Sequence, residues 1–159
     1  MRSASFLIAG ILIGAGIQNV VGQQRNIVSL NHVAVAVENF DQASDFYRQG
    51  FGFPVAFSFF EPDGRPTLTY HQVNRNTFIE LMPTTADRPK GFVHFGLEVN
   101  NLDAVVEQLR AVGMEVRDPA LSPRTGSRIA VARTPEGTGV ELLEFGPDSL
   151  HRKVMDAWK

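Results

Sequence analysis

The chain contains no cysteine. That excludes a disulfide framework, a thiolate zinc site and a lipid-modified cysteine behind a leader segment. There is no excess of positive charge either: 15 Lys and Arg stand against 17 Asp and Glu, a net −2 at neutral pH. Without a basic bias, nucleic-acid binding has no electrostatic support, and without a block of like charges there is no polyanion-binding tail. The charge-free apolar stretch Phe6–Ile17 is about a dozen residues long, where a comfortable bilayer span needs roughly 20.

What is present fits one compact soluble domain. The 159 residues are 43% hydrophobic and 20% charged, ordinary values for a globular protein. The first 22 residues differ from the rest. Arg2, the apolar run Phe6–Ile17 and the small residues Val20 and Gly22 have the layout of a secretory signal peptide. A single arginine points to the general secretory route. The expectation is a chain that is cleaved after residue 22, is secreted or periplasmic, and is free of the membrane thereafter.

The remainder says the same thing twice. "LNHVAVAVENFDQASDFYRQG" begins at Leu30, and "FVHFGLEVNNLDAVVEQLRAVG" begins at Phe92. Each sets a histidine in an alternating apolar run, then Asn-hydrophobe-Asp, then an amphipathic segment ending in glycine. His32 and His94 are 62 residues apart, as are Asp41 and Asp103; Glu80 in "FIELMP" and Glu141 in "VELLEF" are 61 apart. A period of this length, present twice, is a duplicated module and not a solenoid repeat.

Each copy reads β-α-β-β-β. In the first, strands are expected over 30–37, 54–60, 66–73 and 77–82. A helix over 42–49 is capped by Asp41 and stopped by Gly50. In the second, strands are expected over 93–99, 114–117, 128–133 and 140–145, with a helix over 103–112 stopped by Gly113. The predicted organisation is therefore α+β: a first module over 28–83, a linker over 84–91, a second module over 92–146 and a tail over 147–159 with a short helix. One face of each sheet is covered by its helix, so the other needs a partner. Alternation along the last strands puts Ile79, Leu81, Val140 and Leu142 toward the helices and Glu80 and Glu141 toward a shared cleft.

An approximate two-fold between the modules would gather His32, Glu80, His94 and Glu141. Two imidazoles and two carboxylates suit one divalent first-row metal: nickel, cobalt, zinc, iron or manganese. They do not suit a calcium cage, which uses oxygen ligands. Taken singly, each is as well explained as a strand histidine or an exposed strand carboxylate; the matching repeat positions carry the argument. His71 on the third strand reads as a surface histidine, with the cleft as the alternative. His151 in the charged tail reads as solvated. Arg124 and Arg128 in "SPRTGSR" are candidate anion contacts or ordinary surface arginines. For Phe51, Phe53, Phe57, Phe59 and Phe60, core packing comes first and pocket lining second.

These stretches, with "NHVAVAVENFDQASDFYRQGFGF" and "RTPEGTGVELLEF", make the chain resemble the vicinal oxygen chelate superfamily over about residues 27–146. That superfamily includes glyoxalase I, methylmalonyl-CoA epimerase, extradiol dioxygenases and fosfomycin- and bleomycin-resistance proteins. The resemblance implies paired modules and a cleft metal. Its four-ligand pattern falls on His32, Glu80, His94 and Glu141 and is similar to that of glyoxalase I. The epimerase usually has Gln at the Glu80 position, and three-ligand dioxygenases use the His32, His94 and Glu141 positions.

The resulting expectation is a metal-dependent lyase or isomerase acting on a small oxygen-chelating substrate through an enediolate or enolate, with Glu80 or Glu141 moving the proton. The alternatives are an extradiol-type dioxygenase and a resistance-type protein that binds a small molecule without turnover. An intramolecular cleft and a homodimer that exchanges modules both remain open.

Overall fold

The structure, a computed structural model, describes residues 26–159. The predicted signal peptide lies outside the described residues. Strand β1 (Ile27–Val37) leads into helix α1 (Phe40–Asp45), which widens into a π-turn over Phe46–Gly50. Strands β2 (Val55–Phe60), β3 (Pro66–Asn74) and β4 (Thr77–Pro83) complete the first half. The second half repeats the order: β5 (Gly91–Val99), α2 (Leu102–Ala111), β6 (Ala120–Leu121), β7 (Arg128–Arg133) and β8 (Gly139–Glu144). A last helix, α3, spans Leu150–Ala157. No helix among the described residues is long and apolar enough to cross a membrane.

The two halves are joined edge to edge. The strand order is β2-β3-β4-β1-β5-β8-β7-β6, a single sheet of eight strands. β1 and β5 form its antiparallel seam, and each is flanked by the last strand of its own module in parallel, β4 and β8 respectively. The two expected sheets are thus one curved surface, and the cleft lies on its face over the seam.

Several local expectations are corrected. The helices are capped by Asn39 and Asn101, two residues before the expected Asp41. Asn39 Oδ1 accepts from the Gln42 amide and Asn101 Oδ1 from the Ala104 amide, each at 3.0 Å. Asp41 and Asp103 sit instead in the first turn, where a carboxylate favours the positive helix end. The first helix ends at Gly50 as expected, but its last turn is a π-turn over Phe46–Gly50. The chain turns at Gly52, whose φ of 73° is in the left-handed region that glycine enters without cost. The expected strand over 114–117 is only an isolated bridge between Val116 and Ala132, and the short edge strand falls at Ala120–Leu121. Pro119 precedes it and cannot donate to a ladder.

Two cores follow from the strand alternation. On the helix face of the second half, Val99, Leu102, Val105, Val106, Ala130 and Leu142 are buried together. The other core lies on the cleft face of the first half. There Leu68, Tyr70 and Phe78 pack against Met155 of α3, with Phe57, Phe59, Met82, Phe145 and Val154 around them. Helix α3 therefore lies across half of the concave face. Arg152 of α3 bonds Glu98 of β5 at 3.0 Å, which ties the helix to the seam. Of the phenylalanine stretch, Phe57 and Phe59 are in this core, while Phe51 and Phe60 are exposed.

Candidate metal centre

The register of the seam shows why the repeat brings its histidines together. His32 lies opposite Gly96, and His94 lies opposite Ala34. On the outer sides Glu80 lies opposite Ala34 and Glu141 opposite Gly96. Each small residue thus has a histidine on one neighbouring strand and a glutamate on the other. Residues opposed across a ladder share a face, so all four functional side chains rise from the same face. The small residues leave the space they enter. A Cβ on Gly96 would stand 2.2 Å from Cε1 of the His32 ring.

Each histidine is preceded by a bulged residue. On β1 the pairing steps from Leu30 to His32 while β5 advances by one, which leaves Asn31 extra; on β5 the step from Phe92 to His94 leaves Val93 extra. A bulge re-aims the side chain beside it. Asn31 also fixes the chemistry of His32. Its amide nitrogen donates to the Asn76 carbonyl at 3.2 Å, so its oxygen faces His32 Nδ1, 3.0 Å away. His32 therefore carries its proton on Nδ1 and turns the Nε2 lone pair to the centre. Replacing Asn31 by alanine removes that control. The expected result is a loss of metal affinity of roughly 10–100-fold, as for other residues behind a metal ligand, with a stability loss of about 1–3 kcal/mol from the buried groups left unpaired, read by metal titration and a melting curve.

The four heads converge. His32 Nε2 and His94 Nε2 are 3.1 Å apart. Glu80 Oε2 is 3.1 Å from the first and 3.3 Å from the second. Glu141 approaches each imidazole to 3.7 Å through one of its two oxygens. Ligand atoms of His32, His94 and Glu141 all lie within 4.8 Å of one another. Glu80 Oε2 is buried and has no aligned hydrogen-bond partner despite these close contacts. A buried carboxylate oxygen left unpaired is costly; a cation at the convergence point would satisfy it. The donor set and this orphaned oxygen fit a divalent first-row ion.

The halves of the site differ in exposure. The His32 and Glu80 side chains are 0% and 4% exposed, and Glu141 is 23% exposed. Burial pushes the His32 imidazole down to about 4, with the Glu80 charge opposing and His94 reinforcing the shift. His94 moves the other way: burial would lower it, but the Glu80 and Glu141 carboxylates raise it. Burial would raise Glu80, but the two imidazoles hold it below the usual carboxylate range. Glu141 is raised, mainly by burial. Tyr70 faces Glu80 across β3 and β4 and meets the His32 ring edge-on, 5.5 Å between centroids. Burial and then the two carboxylates raise its phenol well above the ordinary range, so it remains a donor beside Glu80.

Asn31 and Tyr70 have no repeat counterpart with the same chemistry: Val93 matches Asn31 in the other copy. The repeat could not flag them. The "NH" pair before the alternating run was the one local signal for Asn31. Two other expectations are corrected, those for His71 and His151, and Arg128 takes the surface alternative. His71 is neither at the surface nor in the cleft. It is fully buried on the helix face, with Nε2 3.0 Å from Ser44 Oγ and Nδ1 3.3 Å from the Phe53 carbonyl. His151 is not solvated. It shares a helix face with Met155 four residues on, stacks on Phe145 at 4.8 Å, and is pushed down by burial to about 3. Arg128 is held by Asp103 and Glu144 at 2.7–3.0 Å and offers nothing to an anion in the cleft. Arg124 lies over the Phe59 ring, 5.8 Å from its centroid.

Residues 29–142 match the Glyoxalase/Bleomycin resistance protein/Dioxygenase superfamily, and the chain belongs to that family. A lactoylglutathione lyase of Arabidopsis thaliana is 29% identical over 124 residues, covering 73% of this chain and 44% of the relative. The mitochondrial methylmalonyl-CoA epimerase of Dictyostelium discoideum is 30% identical over 125 residues, covering 72% and 73%. The chain thus spans less than half the length of the lactoylglutathione lyase it matches. Among solved structures, the methylmalonyl-CoA epimerase of Mycobacterium tuberculosis superposes with a TM-score of 0.63 at 24% identity, covering 76% of this chain and 90% of the other. The Streptomyces coelicolor epimerase in complex with 2-nitronate-propionyl-CoA gives 0.64 at 21%, covering 77% and 98%. At those identities the likeness is one of fold.

Proposed function

We propose that the chain is a metal-dependent lyase or isomerase of the glyoxalase type, acting on a small substrate that presents two adjacent oxygens. The observation that carries this reading is the convergence of His32, Glu80, His94 and Glu141 from one chain, with the Glu80 oxygen buried and unpaired at the centre. In this reading the four side chains hold one divalent ion; nickel, cobalt, zinc, iron and manganese all suit the donor set. A bound ion supplies Lewis acidity toward the substrate oxygens and so makes the neighbouring carbon acid easier to deprotonate.

The chain's own residues divide the remaining work. Glu80 is sealed beneath Tyr70 and His32 and is held in its charged form, so it fits the role of fixed ligand. Glu141 faces the open side, where a substrate over the centre can reach its carboxylate. It is the carboxylate placed to take a proton from substrate and return it to the adjacent carbon. His32 keeps one tautomer through Asn31, and the core under α3 keeps water from the Glu80 side.

One observation favours a second reading. His32, His94 and Glu141 alone form a compact three-ligand group, the set a dioxygenase would use. Incubating the metal-loaded protein with methylglyoxal plus glutathione, with methylmalonyl-CoA and with a catechol separates the readings. Product, or deuterium incorporated from heavy water at the substrate carbon, supports proton transfer. Oxygen uptake with catechol supports the dioxygenase. Tight binding without turnover would sink both and leave a small-molecule binding protein. Export through residues 1–22 remains part of the proposal and predicts a mature chain that begins near Gln23.

A further inference from the structure

We propose that Arg88 is a substrate-reading residue: its guanidinium, held at the rim of the cleft, binds a carboxylate or phosphate on the substrate. The inference rests on the metal-centre reading above and names the charge of the substrate that centre would take.

Arg88 lies in the linker between the modules, and its backbone is pinned. Thr85 and Arg88 exchange both backbone hydrogen bonds, Thr85 N to Arg88 O at 3.0 Å and the reverse at 3.2 Å. The Thr84 amide donates to the Val37 carbonyl at 3.1 Å, which ties the turn to the end of β1. The side chain runs inward over Met82, where Nη1 reaches the thioether sulfur at 3.2 Å. Met82 is two residues beyond Glu80 on the same strand, so it shares the cleft face.

The guanidinium is poorly used as it stands. A sulfur is a weak acceptor and is its one acceptor among the described residues. Nε is buried without any partner, and no carboxylate among the described residues pairs with it. Its neighbours in the linker behave differently: Lys90 is engaged by Glu38 at 3.1 Å. Leaving an arginine donor buried and unpaired costs stability unless something completes it. Charge balance points the same way. Glu80 and Glu141 together neutralise a divalent ion, which leaves Arg88 as uncompensated positive charge at the rim. A planar fork of donors beside a two-oxygen chelation point fits a substrate with an anionic group a short distance from the chelated oxygens.

Two hydroxamates test this directly, because they present the same chelating pair. Succinic monohydroxamate carries a free carboxylate, and propanohydroxamate does not. Binding of each to the metal-loaded full chain is measured by calorimetry for wild type, Arg88→Met and Arg88→Lys, alongside metal affinity. Wild type should prefer the carboxylate compound at least tenfold. Arg88→Met should erase that preference while propanohydroxamate and metal bind as before, and Arg88→Lys should keep part of it. A wild type without preference, or an Arg88→Met variant that retains it, overturns the role of Arg88 and leaves the metal centre intact. If wild type takes up no metal, the metal-centre reading fails and this inference with it.

Discussion

Changing Gly96 to alanine should cut metal affinity about 100-fold or more and lower stability by roughly 1–3 kcal/mol, the usual range for overpacking. The sign is the informative part. Gly96 has ordinary backbone angles in the middle of a strand, where alanine normally stabilises by about 0.5–1 kcal/mol. Here the added methyl would lie 2.2 Å from Cε1, 2.5 Å from Nδ1 and 2.8 Å from Nε2 of His32. All three are ring atoms of a side chain with 0% exposure. The ring cannot rotate away without breaking its bond to Asn31, so it must leave the centre. Gly139→Ala is the matched control. Its nearest neighbour is His94 Cβ at 3.4 Å, an ordinary contact, and its effect on both quantities should be small. Metal titration and thermal melts of the two variants check this. Equal behaviour of the pair would show that the seam does not enforce the position of His32.

The second large effect concerns α3. Removing residues 148–159 should cost on the order of 5 kcal/mol, comparable to the whole stability of a domain this size. The helix contributes Met155 and His151, 2% and 0% exposed, to the core on Tyr70, Phe78 and Phe57. Without it that aromatic face is open to water directly beneath Tyr70, which abuts Glu80 and His32. The expected outcome is a chain that binds a hydrophobic dye and melts tens of degrees lower, with weakened metal uptake. The single change Met155→Ala should cost about 2–5 kcal/mol and keep the fold. A truncated chain with an unchanged melting temperature would show that α3 is an appendage and not part of the site's floor.

These two cases mark what could be read from the sequence. The repeat carried the essentials. Matching positions for His32 and His94, and for Glu80 and Glu141, located four side chains that the structure brings to within 3.7 Å contacts. Period-two alternation correctly separated Glu141 from Leu142, and Glu80 from Ile79 and Leu81. What the repeat could not show is whatever breaks its symmetry. Helix α3 has no counterpart in the first half, so its burial across one side of the cleft was invisible, and His151 looked like one polar residue in a charged tail. Asn31 and Tyr70 act through one half only. Asn39 and Asp41 are both good cap residues, and only the backbone turn decides between them. The union of two sheets through β1 and β5 depends on edge pairing, which side-chain pattern does not encode.

If His32, Glu80, His94 and Glu141 of one chain share one divalent ion, losing either carboxylate must weaken its binding. Cobalt(II) titration of the full-length wild type, Glu80→Gln and Glu141→Gln, followed by visible absorption and by bound metal per chain, tests it most directly. The expected outcome is one ion per wild-type chain, an altered spectrum in both variants and an affinity loss of at least about tenfold in each, since either change removes a charged oxygen donor. A Glu80→Gln variant that binds cobalt with the affinity and spectrum of wild type would contradict it.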